Sequence, residues 1–336
     1  MRKVLVIIGV LFILTGIVGG AVTIGSSGAF AMSYEELKEL YKDELHDEHK
    51  EFTGDLKNAV INATSAEVKI EYSDTDKMTV DYKSSHPNIV CNITFNEKTG
   101  ELKVEEISRH AFFFLFWFNV GKSEITVTLP DEYEEKGIDL VDVHLTSGNL
   151  KGDLPKCRFF KLNFTSGGAD NVTVDCEKAD MYITSGNLSI TNRGDKMDKV
   201  SFSATSGDAK FYNFSAEESI YEMTSGNLYV EGATGDVSVD KTSGDTTLAF
   251  AEFDGDIDIE STSGDSRIML PGDFGFDLEL DRTSGRCEVQ LPIEGSDNVT
   301  RITFDDDTKT HLGTESDNKI KIDITSGDVV ICPINK

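Results

Sequence analysis

Two patterns of apolar and polar residues divide the chain. From Val4 to Ile24 no residue is charged and most are apolar, a run of 21 residues. At about 1.5 Å per residue, a helix of that length spans a bilayer core of about 30 Å. From about residue 53 onward the pattern is alternation. Lys161-Leu162-Asn163-Phe164, Asn171-Val172-Thr173-Val174, Asp236-Val237-Ser238-Val239 and Asp256-Ile257-Asp258-Ile259 switch between polar and apolar at every step. A period of two predicts strands with one buried face. Helical periodicity is absent from these stretches.

A shorter pattern lies between the two. Ser33 and Glu36 form a capping box, and Leu37, Leu40, Tyr41 and Leu45 recur at helical spacing. They predict a short amphipathic helix over 32–50. On that helix His46 and His49 lie at i and i+3. They are a candidate metal pair, set against the plainer reading of a solvated charged face.

The alternating region is punctuated by one tripeptide. Thr-Ser-Gly begins at Thr146, Thr165, Thr184, Thr205, Thr224, Thr242, Thr262, Thr283 and Thr325, with gaps of 19, 19, 21, 19, 18, 20, 21 and 42. The last gap is twice 21, which predicts one decayed copy near Phe304. A fixed period near 20 marks stacked repeats, and it is too short for a propeller blade of about 40 residues. A second punctuation, Gly-Asp, falls at Gly152, Gly194, Gly235, Gly255 and Gly272. Each unit therefore reads strand, turn, strand, turn, and makes one coil stacked on the next at about 4.8 Å. The expected fold is all-β. A β-solenoid of 20-residue coils occupies 131–336, and an irregular β-rich cap precedes it over 53–130. Ahead of these come a transmembrane segment over 1–25 and the juxtamembrane helix over 32–50.

Stacking also predicts columns. Gly148, Gly167, Gly186, Gly207, Gly226, Gly244, Gly264, Gly285 and Gly327 should line up as turns, where glycine supplies φ > 0 without steric cost. The next residues are Asn149, Gly168, Asn187, Asp208, Asn227, Asp245, Asp265, Arg286 and Asp328. They should form a second column, in which interleaved Asn lowers like-charge repulsion. Thr and Ser hydroxyls are expected to satisfy turn backbone groups within and between coils. Cys157 and Cys176 each lie eight residues before a Thr-Ser-Gly. They should be neighbours on successive coils, either as a disulfide or as two buried thiols.

Composition narrows the function. With 32 basic and 60 acidic residues the net charge is −28. That excludes nucleic acid as a partner and opposes electrostatic attachment to anionic lipid. Weak Ca²⁺ binding at Asp-rich turns is the one cofactor left open, although the EF-hand loop is absent. Five Cys without a C-x-x-C pair offer no zinc site. Asp254, Asp256 and Asp258, with Asp305 to Asp307, raise a carbohydrate-active enzyme as the alternative. That chemistry needs a cleft and one carboxyl of raised pKa. No phosphate-binding loop, dinucleotide fingerprint or G-x-S-x-G is present, so no catalytic, cofactor-binding or metal residue is assigned.

Arg2 and Lys3 ahead of the apolar run, and acidic sequence behind it, place the N-terminus in the cytoplasm and the remainder outside. The rival is a cleaved signal peptide, with a small-x-small site at Ala29-Phe30-Ala31. The expected location is the cell membrane, single-pass, with the C-terminal part extracytoplasmic. Expected partners are the membrane, through the N-terminal helix, and a cell-wall component, a lipid surface or another envelope protein. One further stretch stands out. Phe112, Phe113, Phe114, Phe116, Trp117 and Phe118 would make both faces of a strand aromatic. Three readings stay open: a strand buried on two sides, a loop dipping into the membrane interface, and a partner-docking patch.

Ile125-Thr126-Val127-Thr128-Leu129-Pro130, the Thr-Ser-Gly-Asp/Asn units after it, and the closing Ile324-Thr325-Ser326-Gly327-Asp328-Val329 carry a resemblance. Over roughly residues 55–336 the chain resembles a bacterial β-strand-repeat putative adhesin family of unknown function, known as "toastrack". The resemblance implies a β-solenoid, often behind a membrane segment and sometimes linked to cell-envelope stress systems. It transfers no catalytic residue. The expected function is a membrane-anchored extracytoplasmic binding scaffold, adhesin-like and not an enzyme.

Overall fold

The structure, a computed structural model, describes residues 46–85, 89–108, 122–272, 274–293 and 298–334. Alternating segments become strands wherever their apolar positions can be buried on a neighbouring coil. The first seven are β1 (His46–Phe52), β2 (Asn58–Ala63), β3 (Ala66–Ser73), β4 (Met78–Ser84), β5 (Ile89–Asn96), β6 (Glu101–Ser108) and β7 (Ser123–Pro130). A helical turn, Tyr133–Lys136, leads into three long strands that bend through the Thr-Ser-Gly corner: β8 (Ile138–Asp153), β9 (Cys157–Val174) and β10 (Cys176–Asn192).

Later coils break at the corner into two strands each. They are β11 (Met197–Ser206) with β12 (Ala209–Tyr212), β13 (Ala216–Met223) with β14 (Leu228–Ala233), and β15 (Asp236–Lys241) with β16 (Thr246–Phe250). Next come β17 (Ile257–Ser263) with β18 (Ser266–Leu270), and β19 (Gly275–Arg282) with β20 (Cys287–Pro292). The chain ends through β21 (Val299–Phe304), β22 (Thr308–Gly313), β23 (Lys319–Ser326) and β24 (Val329–Pro333).

Parallel register makes the described strands one stack. Its spatial order is β6–β7, β2–β3, β8, β9, β10, β11–β12, β13–β14, β15–β16, β17–β18, β23–β24 and β19–β20. The inward positions form continuous files between the two walls of the coil. One file runs Val104, Ile61, Val143, Leu162, Met181, Phe202, Tyr221, Val239, Ile259, Ile322 and Leu280, every member buried. Phe211 packs at its centre, with ring centroids 5.2 Å from Phe202 and 5.6 Å from Tyr221. Each such side chain contributes about 1.5–3 kcal/mol on leaving water.

Three expectations are corrected. Residues 53–130 are not cap throughout, because β2–β3 and β6–β7 within them continue the same parallel ladder. Antiparallel strands do the capping: β5 lies along β6, β4 along β7, and β1 along β4. The helix expected over 32–50 is replaced from His46 by strand β1, while residues 32–45 lie outside the described residues. The free edge of β4 offers seven backbone partners, and this tertiary pairing outweighs helix propensity. The His, Asp, Glu and Lys side chains of β1 then discourage further pairing. In a strand, i and i+3 point to opposite faces, so His46 and His49 do not converge. Third, no decayed coil lies near Phe304. β21 and β22 are antiparallel additions that cover β20 and β19.

That insertion changes the order of the stack. β19–β20 precedes β23–β24 in the chain but lies outside it in space. β23 pairs with β17 on one side and β19 on the other, and β24 pairs likewise with β18 and β20. Residues 319–333 thus fill a slot about two strand spacings, or about 10 Å, wide. Among the described residues no helix is long and apolar enough to cross a membrane. The Val4–Ile24 run lies outside them.

A coil held on both sides cannot fray alone, because its departure also removes the support of β19–β20. Cys287 on β20 and Cys332 on β24 are both buried, and burial pushes both thiols up, Cys287 to about 12. Thiol labelling along a urea series should therefore modify the two together, with one common dependence on denaturant. Labelling of Cys332 well before Cys287 would show ordinary end fraying and defeat the cooperative reading.

Candidate functional site

The corner of each coil is built by three residues with separate tasks. Every glycine of the column except Gly148 has positive φ, from 94° at Gly285 to 142° at Gly186. A Cβ added at Gly207 would collide with the carbonyl oxygen of Gly186 beneath it, and the same holds up the column. The order follows space and not sequence, since Gly327 lies against Gly264, and Gly285 against Gly327. Below Gly148 the place is taken by Ala66, then by Ser123. The serine hydroxyl donates to the threonine carbonyl of the neighbouring coil, as from Ser225 to Thr205 at 3.2 Å and from Ser284 to Thr325 at 3.0 Å. The serine N–H donates to the same carbonyl.

The residue after glycine forms a second ladder. The Asn187 side-chain oxygen accepts from the backbone N–H of Asp208 at 3.0 Å, and Asp208 from Asn227 at 2.9 Å. Asn227 accepts from Asp245, Asp245 from Asp265, Asp265 from Asp328, and Asp328 from Arg286, at 2.9 to 3.1 Å. Asp245, Asp265 and Asp328 are three like charges in succession. The Arg286 guanidinium ends the run, 3.5 Å from Asp328. The ladder gives each turn a directed bond and closes its own charge.

The inward position just before the corner reads Met223, Lys241, Ser261, Ile324 and Arg282 up the stack. Lys241 is only 1% exposed. Its ammonium donates to the Asp245 carbonyl, and the Arg282 guanidinium donates to the Gly285 carbonyl. Two cations therefore prop the turn from within. Burial pushes Lys241 down to about 8.

The outward file beside the seam changes character along the stack. From the N-terminal pole it reads Glu105, Asn62, His144, Asn163 and Tyr182, and after Ser203 it reads Glu222, Asp240, Glu260, Asp323 and Asp281. The five carboxylates after Ser203 are exposed. The first part of the file borders a shallow cavity of about 280 Å³, closed at one end by Glu106. Glu106 is fixed by the N–H groups of Thr64 and Ser65 at 2.7 and 2.9 Å.

At the opposite corner a wider groove of about 660 Å³ has Cys157 and Cys176 among its lining. The two cysteines are in register on β9 and β10, buried and unbonded. The contact with Cys157, together with burial, pushes the Cys176 thiol up, so the Cys176 sulfur is not primed as a nucleophile. Ion pairs cross the groove from Lys136 to Asp55 at 2.8 Å and from Arg158 to Asp139 at 3.6 Å.

Four of the carboxylates singled out in the sequence serve the scaffold. Asp254 caps the Gly235 N–H, Asp256 the Lys319 N–H and Asp307 the Arg282 N–H, while Asp258 pairs with Lys321 at 3.2 Å. Among the described residues no group of three His, Cys, Asp or Glu is placed to hold a metal ion. The aromatic residues Phe112 to Phe118 lie outside the described residues. In sequence their segment lies between Ser108, which ends β6, and Ser123, which begins β7. Sequence reasoning missed Lys241 and the end strands. The first was legible as a cation in the inward phase of Val237-Ser238-Val239-Asp240-Lys241.

Stacked parallel coils joined by a hydrogen-bonded polar seam define a β-solenoid. The Toastrack DUF4097 family model matches residues 56–332, and the chain belongs to that family. Among solved structures it is similar to a putative adhesin from Parabacteroides distasonis at 15% identity, covering 86% of this chain and 97% of that one, with a TM-score of 0.44. A putative cell adhesion protein from Clostridium sporogenes is 13% identical, covering 86% of this chain and all of that one, with a TM-score of 0.22. A putative lipid binding protein from Parabacteroides distasonis is 16% identical over 67% of this chain and 94% of that one, with a TM-score of 0.33. No curated protein matches the sequence.

Two measurements test the seam. Gly207→Ala should cost about 2–4 kcal/mol by urea unfolding, because both φ and the Gly186 carbonyl oppose a Cβ. Ser206→Ala, losing one hydrogen bond, should cost about 1 kcal/mol. For Lys241 the folded pKa lies below the unfolded 10.5, so the unfolded chain binds more protons between about pH 8 and 10.5. Stability should rise with pH across that window and be flat above it. Lys241→Met should abolish the slope and add about 1–2 kcal/mol at pH 7, since a buried charge is replaced by the side-chain type found one coil earlier. An unchanged slope in the variant would assign it to other groups.

Proposed function

We propose that the chain is a membrane-anchored, extracytoplasmic binding scaffold of the cell envelope, adhesin-like and non-enzymatic. A row of register carries this reading: His46 pairs with Ser84, and Ser84 with Ser123. His46 follows the N-terminal segment that holds the Val4–Ile24 run, and Ser123 follows the aromatic segment. Two strand spacings, about 10 Å, separate them. The proposed anchor and the aromatic run Phe112–Phe118 thus join the solenoid at the same pole. With a helix in the bilayer at that pole, the aromatic side chains meet the membrane interface, where Trp and Phe are favoured. The acidic far end is held away from anionic lipid, where its Asp-rich turns gather Ca²⁺ weakly. Wall components or other envelope proteins are the partners such a scaffold would meet, and a stress-sensing role would use the same geometry.

The carbohydrate-active alternative needs a carboxyl raised toward neutrality. Instead, Glu51, Asp55 and Glu279 are held below the usual carboxylate range by hydrogen bonds from Lys77, Lys136 and Lys309.

Flotation with zwitterionic liposomes tests the proposal. Residues 46–336 should float, and Phe116→Ser with Trp117→Ser should leave most of the protein at the bottom. The full chain should float with or without those changes, through its anchor. Equal flotation of 46–336 and its double variant would remove the aromatic contact. A full chain that stays at the bottom would remove the anchor.

A further inference from the structure

The neutral stretch of the outward file is built unlike the rest of the surface. In a chain of net charge −28, four successive coils present Asn62, His144, Asn163 and Tyr182 along one line, with the Thr-Ser-Gly threonines beside them. Tyr182 is 49% exposed, an aromatic ring offered to solvent at one end. Glu106 stands at the other end, immobilised by two backbone N–H groups. The His144 ring lies beside Asp142, with Nε2 2.8 Å from a carboxylate oxygen. Within the described residues, neither the Asn62 nor the Asn163 amide is spent on a partner, and nor are the Thr146 and Thr165 hydroxyls. Further up the file polar groups are consumed, as where Ser203 donates to Glu222 at 3.1 Å.

We propose that this groove binds a short neutral saccharide. The inventory fits that class. Planar amides donate and accept at once, as vicinal hydroxyls require. An exposed tyrosine face packs against the C–H face of a sugar ring. No Lys or Arg lines the groove, so a phosphate or uronate would meet the Glu106 carboxylate without a guanidinium or ammonium to offset it. The line spans three strand spacings, about 14 Å, comparable to an extended trisaccharide. A cavity of about 280 Å³ is at the small end for ligands, which suits a weak contact repeated along a polymer. The inference deepens the binding-scaffold reading and rests on it. The flotation test does not involve this groove, so either can fail alone.

The test uses the full chain in a detergent without a sugar headgroup. Chitotriose, cellotriose, mannotriose and the galacturonic acid trimer are probed separately by saturation-transfer NMR and calorimetry. At least one neutral trimer should bind with a Kd of about 0.1–1 mM. The acidic trimer should bind at least tenfold more weakly. Tyr182→Ala and Asn163→Ala should each weaken binding tenfold or more at unchanged thermal stability, and Asp240→Asn, on the acidic part of the file, should leave it unchanged. Three results would overturn the proposal: no transfer to any neutral trimer, wild-type affinity in both groove variants, or preference for the acidic trimer.

Discussion

Each coil can lie on its neighbour only where the corner backbone passes within contact of the carbonyl below. A side chain at that point would hold successive coils apart, and the inward files would then lose their contact. Glycine at the corner therefore has less to do with local flexibility than with distance. It sets the approach at which serine hydroxyls reach threonine carbonyls, and at which one Asx side chain reaches the next backbone N–H. Buried hydrophobic area, polar satisfaction and register all follow from that single clearance.

The seam also explains how so acidic a surface is tolerated. Aspartates after the glycine accept backbone hydrogen bonds, and these offset repulsion along the column. Where Asn alternates with Asp the offset is local. Where three aspartates follow one another, Arg286 closes the run. Its position looks arbitrary in the sequence, since Arg286 precedes Asp328 by 42 residues. It makes sense only in the spatial order.

Much of this was legible before the structure. The tripeptide spacing fixes the coil length, and the alternation in segments such as Asp236 to Val239 fixes which residues face inward. Two things were not. Strand β1 is polar and helix-prone, and only the vacant edge of β4 makes it a strand, a requirement that no local pattern carries. The doubled gap before Thr325 reads equally well as a lost repeat or an excursion. Only pairing partners decide, and those depend on which edges are open. The neutral groove was hidden for a related reason, because successive members of Asn62, His144, Asn163 and Tyr182 lie 82, 19 and 19 residues apart in the chain and meet only through stacking.

The slot filled by β23 and β24 bears on how the molecule can be made. From β8 onward, a chain emerging N-terminus first can wind coil upon coil as far as Leu270. The next coil in sequence has no final seat there, because the strands that must lie beneath it have not yet appeared. β19 to β22 must wait as a detached hairpin assembly, or dock provisionally and step back. Vectorial synthesis, which suits a simple solenoid, here ends in a step that cannot be sequential.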